Sequence, residues 1–359
     1  MLAPGMQLVD VAILGAAGFG GGELLRLLIA HPAVAALNAS SRSHAGKPIH
    51  AVHTHLRGLA EGTFGSEPDW QKLAQSACPV LFAALPHGEF AKLLPALEQQ
   101  WETLGLRERM LVIDLSGDFR LRSASVFEHA YGLAHPCPER LGSFTYGLSE
   151  WQGARLAGVK RIANPGCFAT AIALALLPIA QAPWAERLAQ IAISAITGSS
   201  GSGASPGIGT HHPTRAHDFR AYKVLRHQHQ SEILQVLGDA GRALPFSLVP
   251  HSAPLVRGIY ATSQFALPSG VSEADVHGAY QQSYQHSRFV RLTQEPPKLA
   301  ATVGSNFCDL SVHVLDGQVA VLSTLDNLLK GMAGQAVQNL NLALGFPERM
   351  GLEQAALYP

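Results

Sequence analysis

Charge is scarce in this 359-residue chain. Asp, Glu, Lys and Arg make up only 14% of it, 26 acidic against 26 basic, and the formal net charge is zero. Without a basic excess there is no electrostatic case for nucleic acid or an anionic membrane, and neither partner is expected. Cysteine is sparse too. Cys78, Cys137, Cys167 and Cys308 are widely spaced, with no CxxC and no metal-ligand cadence. That predicts reduced thiols in a cytoplasm and no metal site. No uninterrupted apolar run reaches transmembrane length. The opening Met1-Leu2-Ala3-Pro4-Gly5 lacks a basic n-region and a cleavable apolar run, so no secretory leader is expected. Apolar residues are plentiful, at 47%, and the length allows two domains with proper cores.

The first 165 or so residues read as a doubly wound α/β nucleotide domain. Gln7–Leu14 is a buried parallel strand, Gly15–Gly22 a glycine turn, and Glu23–His31 a helix. In that context glycines let the backbone approach a pyrophosphate, which rests on the helix N-terminus. The spacing is GxxGxxG, through Gly15, Gly18 and Gly21, and not GxGxxG. Gly15, Ala17, Gly18, Phe19 and Gly20 are the candidate cofactor contacts of the turn. A second strand, Val34–Ala39, ends in Ser40-Ser41-Arg42-Ser43. An NAD-specific site would carry an acidic residue there. Hydroxyls and an arginine, Ser41 and Arg42, suit a 2′-phosphate and favour NADP. Two further strands, Val80–Leu85 and Met110–Leu115, end in loops that place Leu85, Pro86 and His87, and Ser116 with Arg120, where such a sheet holds its ligand. His50, His53 and His55 have no Cys or carboxylate at ligand spacing and read as a solvated loop.

Asn164-Pro165-Gly166-Cys167 is turn chemistry followed by a helix sequence, Phe168–Leu177. Cys167 is therefore expected at a helix N-terminus, where backbone N–H groups and the helix dipole favour a thiolate nucleophile. The alternative is a small apolar residue packed at a helix start. Beyond it, strand candidates at 190–196, 246–251, 258–265, 310–314 and 318–323 predict a second α+β domain. Its sheet should be largely antiparallel, with helices at about 183–190 and 272–286 on one face. The Gly/Ser-rich stretch 197–207 reads as a flexible linker or an anion-binding loop. It leads into His211, His212, Arg215, Arg220, Tyr222, Lys223, Arg226, His227, His229 and Glu232. Cationic groups that dense suggest an anionic, phosphorylated substrate. The small-residue stretch Asp326–Asn341 predicts a helix that docks back on the first domain.

The glycine turn, Asn164-Pro-Gly-Cys-Phe-Ala-Thr170, His227-Gln-His-x-x-Glu-Ile233 and Leu325-Asp-Asn-Leu-Leu-Lys-Gly-x-Ala-Gly-Gln-Ala336 together resemble the N-acetyl-γ-glutamyl-phosphate reductases. These are the arginine-pathway branch of the aspartate-semialdehyde dehydrogenase superfamily. The resemblance runs from Gly15 to Phe346-Pro347-Glu348. A sister branch reduces carrier-protein-bound aminoadipyl phosphate in lysine synthesis. Ala45–His50 and Thr210–Pro213 are similar to that branch, whereas Asn164-Pro165 and Phe168 are similar to the arginine branch, the reading adopted.

The resemblance implies an NADP-binding Rossmann domain over 1–166, completed by a C-terminal helix over 327–345, and a catalytic domain over 167–326. It implies NADP(H), a small-molecule acyl phosphate (or the carrier protein that bears it), and a homodimer or homotetramer. Cys167 would be the nucleophile and His229 the acid/base, with His227 second. Glu232 would orient the imidazole. Arg120, Asn164, Arg220, Lys223 and Arg257 would hold the substrate. Ser199 would contact either the cofactor or the thioester oxygen. Asn327 would face the nicotinamide carboxamide, although Asp326 or Asn327 could equally cap the closing helix. Two rivals stay open: an NADP-binding regulatory protein, and aldehyde oxidation of the glyceraldehyde-phosphate type.

Overall fold

Short runs of Val, Ile, Leu, Phe and Ala, buried on both faces, build a parallel sheet. Its strands are β1 (Val9–Leu14), β2 (Val34–Ser40), β3 (Pro79–Ala83), β4 (Leu111–Asp114), β5 (Thr145–Tyr146) and β6 (Arg161–Ala163). They lie in the order β2-β1-β3-β4-β6-β5. Every pairing is parallel, with Leu14 opposite Ser40 on one side and Ala83 on the other. The order reverses between β1 and β3. The carboxyl ends of those two strands, Gly15 and Ala84-Leu85, therefore flank the crevice at which such sheets take ligands. Under the sheet Trp70 meets Trp101 edge-on at 5.5 Å, and Phe119 stacks on Phe144 at 4.3 Å. The structure is a computed structural model and describes residues 7–358. The Met1–Gly5 stretch lies outside the described residues.

Chain contacts divide the protein into two units: residues 1–165 with 332–353, and residues 166–331 with 354–359. The break falls inside the Asn-Pro-Gly-Cys turn. The second unit holds β7 (Ile191–Thr197), β8 (Arg220–Ala221), β9 (Phe246–Ser252), β10 (Ile259–Ala266), β11 (Val290–Leu292), β12 (Cys308–Leu315) and β13 (Gln318–Leu325). They form one mixed sheet in the order β11-β12-β13-β10-β7-β9-β8. It is largely antiparallel, but β11 pairs in parallel with β12, and β9 pairs in parallel with β7 and does not neighbour β10. Asp316 and Gly317, both at positive φ, turn the β12–β13 hairpin. The helix expected at 183–190 is only a 3-10 turn, Ala185–Arg187. Pro183 opens that short connection, and buried Trp184, Ala185 and Leu188 pin it as a turn.

The helix Cys167–Ala180 has every residue after Cys167 buried. It runs through Pro178, which lacks an N–H and so leaves the Leu174 carbonyl without its helical donor. The Tyr284 hydroxyl donates to that carbonyl at 2.5 Å, and the Tyr280 hydroxyl donates to the Ala175 carbonyl at 2.6 Å. Both tyrosines come from the helix Glu273–Tyr284, and the Tyr284 phenol supplies the donor that the proline removes.

The closing helix starts later than the sequence suggests. Asp326 Oδ1 takes the N–H groups of Leu328 and Leu329, so Asp326 rather than Asn327 caps the segment. A π-helical turn over Leu329–Ala333 precedes the α-helix Gly334–Ala343. Within the first unit that α-helix sets the Asn339 amide against Gly147 O (2.8 Å) and Asn164 Oδ1 (3.1 Å). Loop residue His53 also departs from expectation: it is 6% exposed, beneath the glycine turn, and is not solvated. Among the described residues no helix is long and apolar enough to cross a membrane.

Replacing Tyr284 with Phe removes the phenol and leaves a buried carbonyl short of its donor. A loss of about 1–3 kcal/mol in unfolding free energy is expected, read from urea denaturation. An unchanged midpoint and slope would show that Leu174 O has another donor.

Candidate active site

In the first unit the chain leaves β1 at Gly15, whose φ is +80°. A Cβ there would stand 2.4 Å from the Ala84 carbonyl oxygen and 3.1 Å from Leu85 Cδ2. Gly21 lies equally tight against the Ala16 backbone, at 2.5 Å. Gly18 differs: its Cβ would meet only the Gly15 carbonyl oxygen, at 3.8 Å, and would otherwise enter open space. Gly18 is the N-cap of the helix Phe19–Ile29 and supplies no side-chain cap. The first-turn N–H groups of an α-helix have no carbonyl within it to bond. Close backbone packing on one side, a cradle open on the other and a helix start facing it fit a dinucleotide pyrophosphate.

The end of β2 agrees with that fit. Ser40 Oγ is spent on the Ile13 carbonyl. Ser41 is within 3.4 Å of Ser43 Oγ, and Arg42 is exposed in a short 3-10 turn with no acidic residue. Phe19 is 44% exposed beside the cradle. At the ends of β3 and β4, His87 Nδ1 contacts the Ser116 carbonyl and its ring lies 4.9 Å from Tyr131. Asp118 anchors this corner by accepting the N–H groups of Gly88 (2.6 Å) and Ala91 (2.9 Å). Burial, and then the neighbouring Asp118 charge, push the Asp114 carboxyl up to about 7.

Arg120 was expected to hold substrate. It is 6% exposed, with Nε on the Asn164 carbonyl (2.7 Å) and Nη2 on the Leu115 carbonyl (3.1 Å). Those bonds hold the turn that leads to the cysteine. The Asn164 side chain is likewise engaged: its Nδ2 donates to the Met332 carbonyl at 3.0 Å.

In the second unit Cys167 opens its helix, with Gly166 as N-cap and no side-chain cap, and is half-buried. The helix start presents N–H groups and positive dipole to the sulfur, which favours the thiolate. Two groups close on Gly166 from the helix His229–Ala240. Glu232, 1% exposed, accepts the Gly166 N–H at 2.7 Å. A Cβ on Gly166 would stand 2.3 Å from His229 Nε2, so the imidazole lies directly against the residue preceding the cysteine. His229 N donates to His227 Nδ1 at 3.2 Å, and the two rings meet edge-on at 4.7 Å. Burial, with Lys223 second, pushes His227 down to about 4. His227 is thus a neutral acceptor that positions His229. From the other side, the π-helical turn brings Gly331 so close that a Cβ would be 2.7 Å from Cys167 Cβ.

The structure thus gathers Cys167, His229, His227 and Glu232. Other expected groups are engaged elsewhere. Arg220 pairs with Asp218 and bonds the Gly209 carbonyl; Lys223 donates to Gln228. Arg257 is ion-paired to buried Asp326 at 3.0 Å. Asn327 Oδ1 accepts the Gly258 N–H at 2.7 Å, and its Nδ2 donates to Ser200 Oγ at 3.0 Å. Ser199, the neighbour of Ser200, uses its N–H on the Leu255 carbonyl. Sequence reasoning placed Tyr222 in the polar segment 211–232 but gave it no role of its own. Burial, and then charge at Cys167, push its phenol up, and its ring lies 5.9 Å from His227. Left-handed backbone at Lys223 (φ 45°) and Leu225 (φ 58°) shapes the segment that carries it. Cys78, Cys137 and Cys308 are buried, and burial pushes Cys137 up to about 11. Among the described residues no cluster of His, Cys, Asp and Glu could hold a metal ion.

Residues 10–159 match the family described as "Semialdehyde dehydrogenase, NAD binding domain", and residues 167–327 match "Semialdehyde dehydrogenase, dimerisation domain". The chain belongs to the semialdehyde dehydrogenase family. A family member named N-acetyl-gamma-glutamyl-phosphate reductase, from Methanosphaera stadtmanae, is 39% identical over 99% of this chain and 100% of its own length. A putative [LysW]-L-2-aminoadipate 6-phosphate reductase from Thermomicrobium roseum is also 39% identical, over 98% of this chain and 100% of its own. Among solved structures, a probable aspartate-semialdehyde dehydrogenase from Pseudomonas aeruginosa superposes with a TM-score of 0.65 at 16% identity, covering 94% of this chain and 98% of that one. The Candida albicans aspartate semialdehyde dehydrogenase, solved with NADP, gives 0.59 at 15%, with the same coverage. The semialdehyde dehydrogenase fold, a parallel NAD(P)-binding sheet followed by a mixed sheet, is the one predicted.

Gly166→Ala should expel the His229 ring, because 2.3 Å leaves no room for a methyl. Turnover should fall by about 10²–10⁴-fold, while circular dichroism keeps its folded signature. Wild-type turnover would show that His229 is dispensable. A second prediction follows from Asp114. Its folded pKa lies above the ordinary carboxylate value, so the folded state binds more protons between about pH 4 and pH 7. Stability contributed by this group is present at low pH and is lost as pH rises through that window. Asp114→Asn should flatten the decline in chemical denaturation series, and a parallel pH profile would exclude Asp114 as its source.

Proposed function

We propose that the protein is an NADPH-dependent acyl-phosphate reductase that converts N-acetylglutamyl 5-phosphate to N-acetylglutamate 5-semialdehyde and phosphate, in the cytoplasm, as a homo-oligomer. The observation that carries the chemistry is Cys167 at a helix start, with His229 Nε2 against Gly166 and Glu232 on the Gly166 N–H. The Cys167 thiolate attacks the acyl carbon. The carbon–oxygen bond to phosphorus breaks, and phosphate leaves with the electron pair, giving a thioester. A bound dinucleotide would supply the hydride that reduces it, held by Gly15, Ala17, Gly18, Phe19 and Gly20, with Leu85, Pro86, His87 and Ser116 lining the strand ends. His229 gives its proton to the oxyanion. It takes the proton back as the carbon–sulfur bond breaks, freeing aldehyde and thiolate.

NADP is favoured over NAD by Ser41 and Arg42 at the ribose position and by the absence of an acidic residue there. Arg220 and Lys223 are assigned to the substrate's phosphate and carboxylate; both are exposed and would exchange their bonds to Asp218 and Gln228 for the substrate. Arg257, Arg120 and Asn164 serve better as positioning groups, given their bonds within the protein. Ser199 is kept for the thioester oxygen and Asn327 for the carboxamide end of the cofactor.

A second reading is reduction of a carrier-borne 2-aminoadipyl 6-phosphate. It is favoured by the T. roseum relative and by a [LysW]-L-2-aminoadipate 6-phosphate reductase from Deinococcus radiodurans, 38% identical over 97% of this chain and 98% of its own. The test runs in reverse: NADP, phosphate and N-acetylglutamate semialdehyde, with Cys167→Ser as control. NADPH formation that the mutation abolishes supports the first reading. Turnover only with a carrier-attached semialdehyde supports the second. Inactivity with both, in protein that binds NADP, leaves the nucleotide-binding regulator.

A further inference from the structure

Of the histidines in the loop after β2, His53 alone combines burial with a bond to the glycine turn. Its Nε2 is 2.8 Å from the Ala16 carbonyl oxygen. A carbonyl only accepts, so Nε2 carries the proton and donates. The ring is locked in place. A Cβ on Gly22 would stand 2.7 Å from its Cε1 and Nδ1, and Phe64 meets it edge-on at 6.0 Å. Ala16 is the residue on which the turn pivots: its own N–H bonds the Ser40 carbonyl at 2.9 Å, and Gly21 packs on its backbone.

In a trans peptide the C=O and the following N–H point in opposite directions. Drawing Ala16 C=O down onto His53 therefore aims the Ala17 N–H away from the imidazole. We propose that His53 is the positioning residue of the dinucleotide site: through its bond to Ala16 O it holds the Ala17 N–H out as a pyrophosphate donor. This rests on the nucleotide reading of the first unit. His53 itself touches no ligand. Its effect is to fix one peptide plane that a glycine-rich turn would otherwise leave free to rotate.

The test is calorimetric titration of the full chain with NADPH alone, alongside thermal melting of the same protein without nucleotide. Three variants separate the bond from the bulk. His53→Leu keeps size and loses the donor, and should weaken NADPH by about tenfold. His53→Gln restores an N–H donor and should recover most of that loss. Gly22→Ala leaves His53 in the sequence and adds a methyl where the ring now sits. The methyl displaces a buried ring, so NADPH binding should weaken as in His53→Leu, beyond any loss that a fall in melting temperature accounts for. In steady state the KM for the nucleotide should rise, with kcat and the KM for the aldehyde unchanged.

Wild-type affinity in His53→Leu overturns the proposal. So does a Gln variant no better than Leu, or an affinity loss that merely tracks a fall in melting temperature. Wild-type protein that binds neither NADPH nor NADH would instead overturn the nucleotide reading itself, and the His53 assignment with it.

Discussion

The hydrogen bond from the Gly166 N–H to Glu232 Oε1 fastens the residue before Cys167 to a different helix. A carboxyl oxygen accepts a backbone N–H well, and burial keeps water from competing for the bond. Once it forms, several things follow. The cysteine must begin a helix, because the preceding peptide is already oriented. His229, one turn before Glu232, must lie across Gly166. And position 166 can carry no side chain, since the space a Cβ needs is filled by the imidazole. Pro165 and Gly166 thus have distinct duties, one limiting the backbone and the other admitting a neighbour.

The same economy of space recurs on the other side of the sulfur. Gly331 lies in a π-helical turn closed by its N–H on the Asp326 carbonyl, five residues back. The extra residue in that turn pushes the glycine backbone against Cys167. Asp326 holds the turn from within, binding two N–H groups and the Arg257 guanidinium. A residue that could have been a substrate cation is therefore part of the frame. Arg120 and Arg215 illustrate the same choice. Arg215 is 8% exposed and spends its guanidinium on Ser252 and the Ala253 carbonyl. Arginine offers five donors in a fixed fork, which suits carbonyls on converging loops as well as phosphate.

His227 and His229 show how two identical side chains, two residues apart, are given different work. His227 sits among Phe168, Tyr222 and His229, where burial keeps it neutral and its Nδ1 accepts a backbone N–H. His229 lies against Gly166, the residue before Cys167. The difference arises because the helix starts between them: 227 is outside it and 229 is its first residue.

Much of the fold was legible in the sequence. Buried apolar runs ended by glycine turns specify a parallel sheet, because only helix-covered strands can be apolar on both faces. Proline, glycine and a small apolar run after Asn164 specify a cysteine at a helix start for equally local reasons. The sequence also carried the family likeness and the candidate nucleophile. Contacts between residues far apart in the chain were not legible. No pattern in 49–56 says that His53 supports Ala16, or that β9 joins β7 and passes over β10. No composition rule tells a cation that meets substrate from one that meets a carbonyl. The closing α-helix begins only at Gly334, after a π-helical turn at whose start a buried aspartate caps two N–H groups. Local sequence fixes which backbone shapes are available. Which polar atoms pair was decided only when distant segments packed, since a buried donor must take whichever acceptor the tertiary structure brings to it.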